Sequence, residues 1–303
     1  MMSKRTVGVA AVIISAVVFG FLPLCVTYLK GEGGTTLSVA FCRFFLSLLP
    51  IFIYLKVKKI PLAVTKKQFA QMVLITVAGY GGTALLLFFS YSYIPTGMAT
   101  TLHFCYPVMV IVFSAVFLRE KIKPLKILCV SMCMIGIILF YDGGMSADLF
   151  GIFLAFISGN TYAFYILYLD KSDVGKMNSL KTIFYMNSIA SVMILTAALL
   201  TDQFVFRWEA ADWLFAFVFA TAVSFIAVLG FQIGVKYTGG QTSAILSTFE
   251  PITSVIVGII AYGESFSARG VVGCVLILTA TVIIACLKED VKEQPEIPED
   301  TAA

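Results

Sequence analysis

Along this chain, long apolar runs alternate with short polar connectors, and within the runs apolar residues are continuous rather than placed at every second position. Ten such runs lie at 7–29, 35–55, 70–93, 97–118, 125–141, 149–169, 179–200, 212–235, 240–262 and 268–287. Each is long enough to cross a hydrocarbon core roughly 30 Å thick as a helix. A membrane β-barrel needs two-residue alternation, so it is excluded. The connectors leave no room for an inserted soluble domain. The pattern therefore predicts an all-α integral membrane protein with ten transmembrane helices. From Lys288 the chain reads "KEDVKEQPEIPEDTAA", an acidic, Pro-containing segment that predicts a disordered tail over 288–303. Lys4-Arg5 precede the first run, but that run is longer than a signal-peptide core and no small-x-small site ends it, so it is kept as a helix.

Composition agrees. Of 303 residues, 60% are hydrophobic and 13% charged, and the mean hydropathy is +0.98. A soluble domain carries about 25% charged residues. The net charge of +4 reports topology rather than nucleic-acid binding. With the N-terminus inside, the inner segments hold 17 Lys and Arg and the outer segments hold 3, namely Lys30, Arg207 and Arg269. That asymmetry predicts a multi-pass protein of the cell membrane with both termini cytoplasmic.

Shifting the sequence by 144 lays residues 93–120 without gaps over 237–264. Tyr93/Tyr237, Leu102/Leu246, Pro107/Pro251 and Glu120/Glu264 coincide, and the same offset superposes spans 5 and 10. Spans 1 and 6 match at offset 143 through Gly8/Gly151 and Ser15/Ser158. Each copy holds an odd number of spans, so the second must be inverted, and the connector charges agree: "REKIKPLK" is basic where its counterpart "GESFSARG" has one Arg. The expected organisation is a first five-helix repeat over 1–142, a second, inverted one over 143–287, and the tail. Inverted repeats are a transporter architecture.

Two five-helix repeats, each with a proline in the fourth helix and a glutamate just beyond it ("P…LRE", "EP…YGE"), resemble the EamA-type transporters of the drug/metabolite transporter superfamily. The Arg43 helix "AFCRFFLSLL" and the sixth span "ISGNTYAFYILYLDK" are also similar to that family. The likeness covers about residues 7–287. Arg119 departs from it, because a Gly often precedes that glutamate. The resemblance implies a ten-helix bundle that moves small metabolites, often outward.

The chemistry lies in a few residues. Glu250 is roughly 13 Å along span 9, near the bilayer centre. A charge there costs on the order of 2.5–3.5 kcal/mol, so such groups usually face a cavity. Glu250 is either a proton-coupling or cation-binding group, or a neutral side chain hydrogen-bonded to a neighbouring helix. Pro251 removes a helix hydrogen bond and exposes the Ser247 carbonyl. Pro107 is the matching helix break in span 4. His103, the only histidine, lies four residues before Pro107 and aligns with Ser247. His103, Tyr106, Ser247 and Glu250 are therefore expected at similar depths. Arg43 snorkels outward, pairs with carbonyls or an acid, or meets a substrate carboxylate. Tyr80, Tyr162 and Asn160 are the deeper cavity candidates, while Tyr91, Tyr93 and Tyr168 are expected as interface anchors. Gly230-x-x-x-Gly234 and "AGYGG" read as close helix packing. Glu120 and Glu264 read as structural carboxylates at the N-termini of spans 5 and 10. Cys129 and Cys133, four apart, read as small apolar filler.

These residues favour a secondary transporter of a small organic solute such as an amino acid, working outward. The expected partners are that solute and the lipid bilayer, with no nucleic acid, no cofactor and no metal, since one histidine makes no multi-His site. One copy of the chain supplies both halves, so a monomer suffices. Spans 1, 3, 4, 6, 8 and 9 should line the cavity, with spans 5 and 10 peripheral. A phosphorylated solute such as a nucleotide sugar is the alternative, but it would want several buried cations. No nucleotide-binding loop is present, and an enzyme would need a nucleophile–base pair or metal ligands that the spans lack.

Overall fold

The computed structural model describes residues 3–94, 96–139, 148–262 and 268–286; Glu264 and the predicted tail lie outside them. Every regular element among the described residues is helical. Helices begin where the sequence supplies caps: Ser3, Thr35, Asp148 and Asn178 accept backbone N–H groups, and Thr65 and Gln68 form a reciprocal capping box.

Six helices are long and apolar enough to cross a membrane. They are α1 (Lys4–Gly31), α2 (Thr36–Val57), α3 (Lys66–Ser90), α7 (Leu149–Lys171), α9 (Ser179–Leu200) and α10 (Ala210–Thr238). α1 bends at Phe21, just ahead of Pro23. The fourth and ninth predicted spans are not continuous. The fourth consists of α4 (Thr96–His103) and α5 (Tyr106–Phe117), and the ninth of α11 (Gly240–Leu246) and α12 (Phe249–Tyr262). Each breaks just before its proline, whose missing N–H and ring prevent the preceding turn from closing as a helix. α6 (Pro124–Leu139), the short α8 (Asp173–Lys176) and α13 (Ala268–Cys286) complete the chain.

Two helices carry a wide turn. α3 is π-helical over Thr76–Tyr80 and α10 over Thr221–Ala227. The 144-residue shift carries the first of these segments onto positions that overlap the second.

The bundle buries a set of polar side chains within its apolar core and turns large apolar side chains outward, the arrangement expected where lipid replaces water as solvent. Asn187, Ser47, Ser191 and Ser224 are buried, while Leu149, Phe117, Leu200 and Ile260 are among the most exposed side chains. With the long apolar helices, this makes the chain a multi-pass integral membrane protein.

α1 packs on α10 and α12, and α7 packs on α3, α4 and α5; α2 pairs with α9, and α6 with α13. Gly8 and Gly151 mark equivalent close approaches. A Cβ on Gly8 would lie 2.8 Å from Tyr237 Cβ, and one on Gly151 would lie 2.7 Å from Tyr93 Cβ. Gly230 and Gly234 press α10 onto Ala11 and Val12 of α1, as the small-residue spacing predicts.

Connectors meet at two opposite ends. At one, Tyr185 Oη donates to the Leu62 carbonyl at 2.7 Å and Lys181 Nζ to that of Ala63 at 3.2 Å. Lys67 pairs with Asp173 at 3.1 Å, and with Lys176 it holds the exposed Asp173 carboxyl below its ordinary pKa. At the other end, Tyr28 Oη donates to Asp212 at 3.1 Å and Trp208 Nε1 to the Leu29 carbonyl at 3.0 Å.

Candidate functional site

A cavity of about 70 Å³ lies inside the bundle, lined by Arg43, Tyr80, His103, Tyr162 and Glu250 among others. Five of the eight predicted binding residues thus meet in one place, from α2, α3, α4, α7 and α12. Phe19, Leu22, Pro23, Leu87, Phe88, Tyr91 and Thr100 complete much of the wall. Most of these residues lie in the half of their helix nearer the end that carries Tyr28, Trp208 and Asp212. Among the described residues, spans 5 and 10 contribute no lining residue; contrary to expectation span 8 contributes none either, whereas α2 contributes Arg43.

Among the described residues, Arg43 is the only Lys or Arg on the lining, and Glu250 the only acid. The two are not paired. The ion pairs among the described residues lie elsewhere, around Asp173 and around Lys171. Instead the Arg43 guanidinium carbon sits 4.5 Å from the Phe44 ring centroid and 5.9 Å from that of Phe88, and Nε has no hydrogen-bond partner. Aromatic faces attract a guanidinium without neutralising it. The charge therefore stays available to the cavity rather than snorkelling outward.

His103 is buried, with Nδ1 3.0 Å from Ser158 Oγ. Ser158 Oγ donates its own proton to the Ala155 carbonyl at 2.6 Å. A hydroxyl has one proton to give, so a neutral His103 carries hydrogen on Nδ1 and keeps Nε2 as an acceptor. Tyr162 stands over it, 5.4 Å between ring centroids, and edge-on to Tyr106 at 4.8 Å. Tyr80 extends the aromatic wall through Phe44 and Tyr165, each at 5.4 Å.

The helix breaks set these positions. Pro107 offers no N–H to the His103 carbonyl, which instead presses on α7: a Cβ at Gly159 would lie 2.7 Å from it. In the second half the expectation needs correcting. The Ser247 carbonyl is not left free by Pro251, because Glu250 N–H reaches it at 3.0 Å. The chain loosens one step earlier, at Ser247–Thr248, where Thr248 bonds the Ile245 carbonyl through both N–H and hydroxyl at 3.1 and 2.6 Å. Pro251 thereby tightens the first turn of α12 and aims Glu250 into the cavity.

Three predicted residues do not line this cavity. Ser247 donates to the Ser243 carbonyl at 2.7 Å and lies beside Tyr106, whose ring is tilted against His103 with 5.5 Å between centroids. Asn160 spends its amide on its own helix, donating to the Phe156 carbonyl at 2.8 Å. Tyr91, expected at the membrane interface, is instead buried in the cavity wall with its hydroxyl 3.3 Å from Thr100 Oγ1. Asn187 was not anticipated: buried on α9, its amide donates to Ser47 Oγ at 2.8 Å and to the Ser224 carbonyl at 2.9 Å. Its one sequence signal is an isolated Asn inside an apolar span.

Glu120 also departs from its expected role. α6 begins four residues later, at Pro124, and Glu120 bonds other helices instead. It pairs with Lys171 of α7 at 2.7 Å and accepts from Gln241 Nε2 of α11 at 2.8 Å. Lys171 also meets Asp170 at 3.0 Å, and Gln241 Oε1 accepts from Lys126 at 3.0 Å. This polar knot sits at the end of the bundle away from most of the cavity lining.

Comparison with known proteins is consistent with this architecture. An uncharacterized transporter of Archaeoglobus fulgidus is 29% identical over 280 residues, which cover 91% of this chain and 95% of the relative. An uncharacterized transporter of Clostridium kluyveri is 24% identical over 76% of this chain and 75% of its own length. A solved crystal structure superposes with a TM-score of 0.78 over 95% of this chain and 99% of that one; at 16% identity it speaks for the fold alone. The EamA-like transporter family model matches twice, over residues 6–142 and 149–286, and the chain therefore belongs to the EamA-like transporter family.

Proposed function

We propose that this protein is a secondary transporter that exports a small organic metabolite, an amino acid or similar amphipathic solute, by alternating access between two inverted five-helix repeats. In this reading ten spans cross the cell membrane, both termini are cytoplasmic, and a monomer is sufficient. The observation that carries it is the joining of Arg43 and Glu250, opposite charges that do not pair with each other, in one aromatic-walled cavity drawn from both halves of the chain. A solute with an ammonium and a carboxylate suits such a cavity. In this reading Glu250 also serves as the group that couples solute movement to a proton or binds a cationic group of the solute.

The swapped packing supports the repeat reading. α1 meets α10 and α12 much as α7 meets α3, α4 and α5, and the Gly8 and Gly151 contacts and the two π-helical segments fall at matching offsets. In an alternating-access cycle the Glu120–Lys171–Gln241 knot acts as the closed cytoplasmic end. The nucleotide-sugar alternative is disfavoured, because a pyrophosphate would face a single Lys or Arg on the lining. No enzymatic role is proposed.

The test is flux in proteoliposomes across a pH series, normalised to inserted protein, with amino-acid mixtures as cargo. Glu250→Gln keeps the side chain's shape while removing its charge. It should insert normally, lower transport by roughly tenfold or more, and flatten the pH profile. Wild-type flux from the Gln variant at every pH would refute the role given to Glu250. Absence of any solute flux from the wild type would refute transport of this class.

A further inference from the structure

The 144-residue shift that relates the two halves also brings buried polar residues into correspondence. Arg43 of α2 falls on Asn187 of α9, Ser47 on Ser191, and Tyr80 on Ser224. All six are buried. The fold gathers them where α2 and α9 pack on each other. Each of these helices also lies against the π-helical turn of the opposite half, α2 on Thr221–Ala227 and α9 on Thr76–Tyr80. Tyr80 and Ser224, each other's images under the shift, lie side by side. Images that touch do so near the axis relating them, so in the inverted-repeat reading this cluster lies at that axis.

The hydrogen bonds within the cluster are one-sided. Asn187 Nδ2 donates to Ser47 Oγ, across the two halves, at 2.8 Å and to the Ser224 carbonyl at 2.9 Å. Ser224 sits in the wide turn of α10, where the helical ladder is irregular and a carbonyl is open to a neighbouring donor. The image arrangement would have Arg43 donate to Ser191 Oγ and to the Tyr80 carbonyl. A guanidinium has donors enough for both. Neither acceptor receives a bond from Arg43 here. Arg43 lies against the Phe44 and Phe88 rings with Nε unpartnered, and Ser191 Oγ donates to the Asn187 carbonyl of its own helix at 2.7 Å.

Alternating access between inverted repeats exchanges the conformations of the two halves, so a contact made by one half in one state passes to its image in the other. We propose that Asn187 is a clamp on the state seen here, tying Ser47 of the first half to the wide turn of α10, and that Arg43 forms the image clamp, on Ser191 and the Tyr80 carbonyl, in the state of opposite access. The inference rests on the transport reading and deepens it by naming the hydrogen bonds that are exchanged. In the state seen here the Glu120–Lys171–Gln241 knot is closed. Weakening the Asn187 clamp therefore favours opening of that end, and weakening the image clamp disfavours it.

The experiment follows two thiol reporters in detergent, in a background with the seven native cysteines replaced. One is Ala244→Cys, fully buried on α11, the helix that carries Gln241 of the knot; the other is Ala84→Cys, on the cavity wall. Ser47→Ala removes the acceptor of the cross-half bond, while its bond to the Phe44 carbonyl lies within one helix and is lost in both states alike. It should raise the rate at Ala244→Cys about three- to tenfold, the effect of one net hydrogen bond, without raising that at Ala84→Cys. Ser191→Ala, the image change, should lower the rate at Ala244→Cys by a similar factor. Asn187→Ala should act as Ser47→Ala does, and more strongly; should it fail to fold, the two serine variants decide. Rates rising together at both reporters, the mark of general loosening, would overturn the clamp. So would Ser47→Ala and Ser191→Ala moving Ala244→Cys in the same direction, or moving it not at all. In any of these cases solute flux by the same protein in proteoliposomes would leave the transport reading standing.

Discussion

At the scale of single residues, the site depends on a few contacts that tolerate no added atom. Gly159 is the clearest. Its Cα lies against the break between α4 and α5, and a methyl there would sit 2.5 Å from Cys105 Sγ and 2.7 Å from the His103 carbonyl. The carbonyl cannot retreat without moving the His103 ring, because Nδ1 is tied to Ser158 on the same helix as Gly159. Gly159→Ala should therefore destabilise the protein by about 1–3 kcal/mol, the usual cost of overpacking, and lower its melting temperature in detergent. Ser158→Ala makes a useful contrast: it adds no bulk but leaves the buried His103 Nδ1–H without its acceptor, so it should lower the melting temperature by a comparable amount through a lost hydrogen bond rather than through overpacking. A melting temperature for Gly159→Ala equal to wild type would show that α7 and the broken helix do not pack as described.

At the scale of elements, the knot formed by Glu120, Lys171 and Gln241 joins the connector after α5 to α7 and α11 at one end of the bundle. Both charged partners are half-buried, so the pair is worth only on the order of 1 kcal/mol after solvent screening, enough to bias an equilibrium but not to decide folding. If this end opens during transport, reversing one charge should favour the open form. In a background with the seven native cysteines replaced, Ala244→Cys, fully buried on α11, reports on that opening. Glu120→Lys should raise its reaction rate with a membrane-impermeant thiol reagent about fivefold, matching ~1 kcal/mol. The double variant Glu120→Lys/Lys171→Glu should return it toward the starting value. Equal labelling in all three proteins would leave the knot as static packing.

At the scale of the whole molecule, the contacts between connectors divide the bundle into two ends. Position 62 joins the end with Tyr185, and position 204 lies on the connector whose Gln203 carbonyl accepts from Ser38 Oγ at 2.8 Å, at the other. In the proposed topology, the balance of 17 to 3 Lys and Arg puts the first end in the cytoplasm. Single cysteines at 62 and 122 should thus label from the cytoplasmic side and one at 204 from outside. Labelling of 62 and 204 from the same side would defeat the proposed topology.

What the sequence determined by itself is set by local rules. Apolar length and low charge content are read along the chain, and they located the long helices and the membrane environment. The two prolines also announced breaks, because a missing N–H acts within one turn wherever the helix sits. Tertiary structure alone decided which polar groups share a cavity. Asn160 and Tyr162 are two residues apart on one helix, yet only Tyr162 faces the cavity, because the rotation of α7 is set by its packing against α3, α4 and α5. Glu120 carried the signature of a helix-terminal carboxylate, but its partners came from helices about 50 and 120 residues away along the chain. Asn187 gave only a faint sequence sign, since an isolated amide in an apolar span acquires its meaning only from the neighbours, Ser47 and Ser224, that folding brings to it.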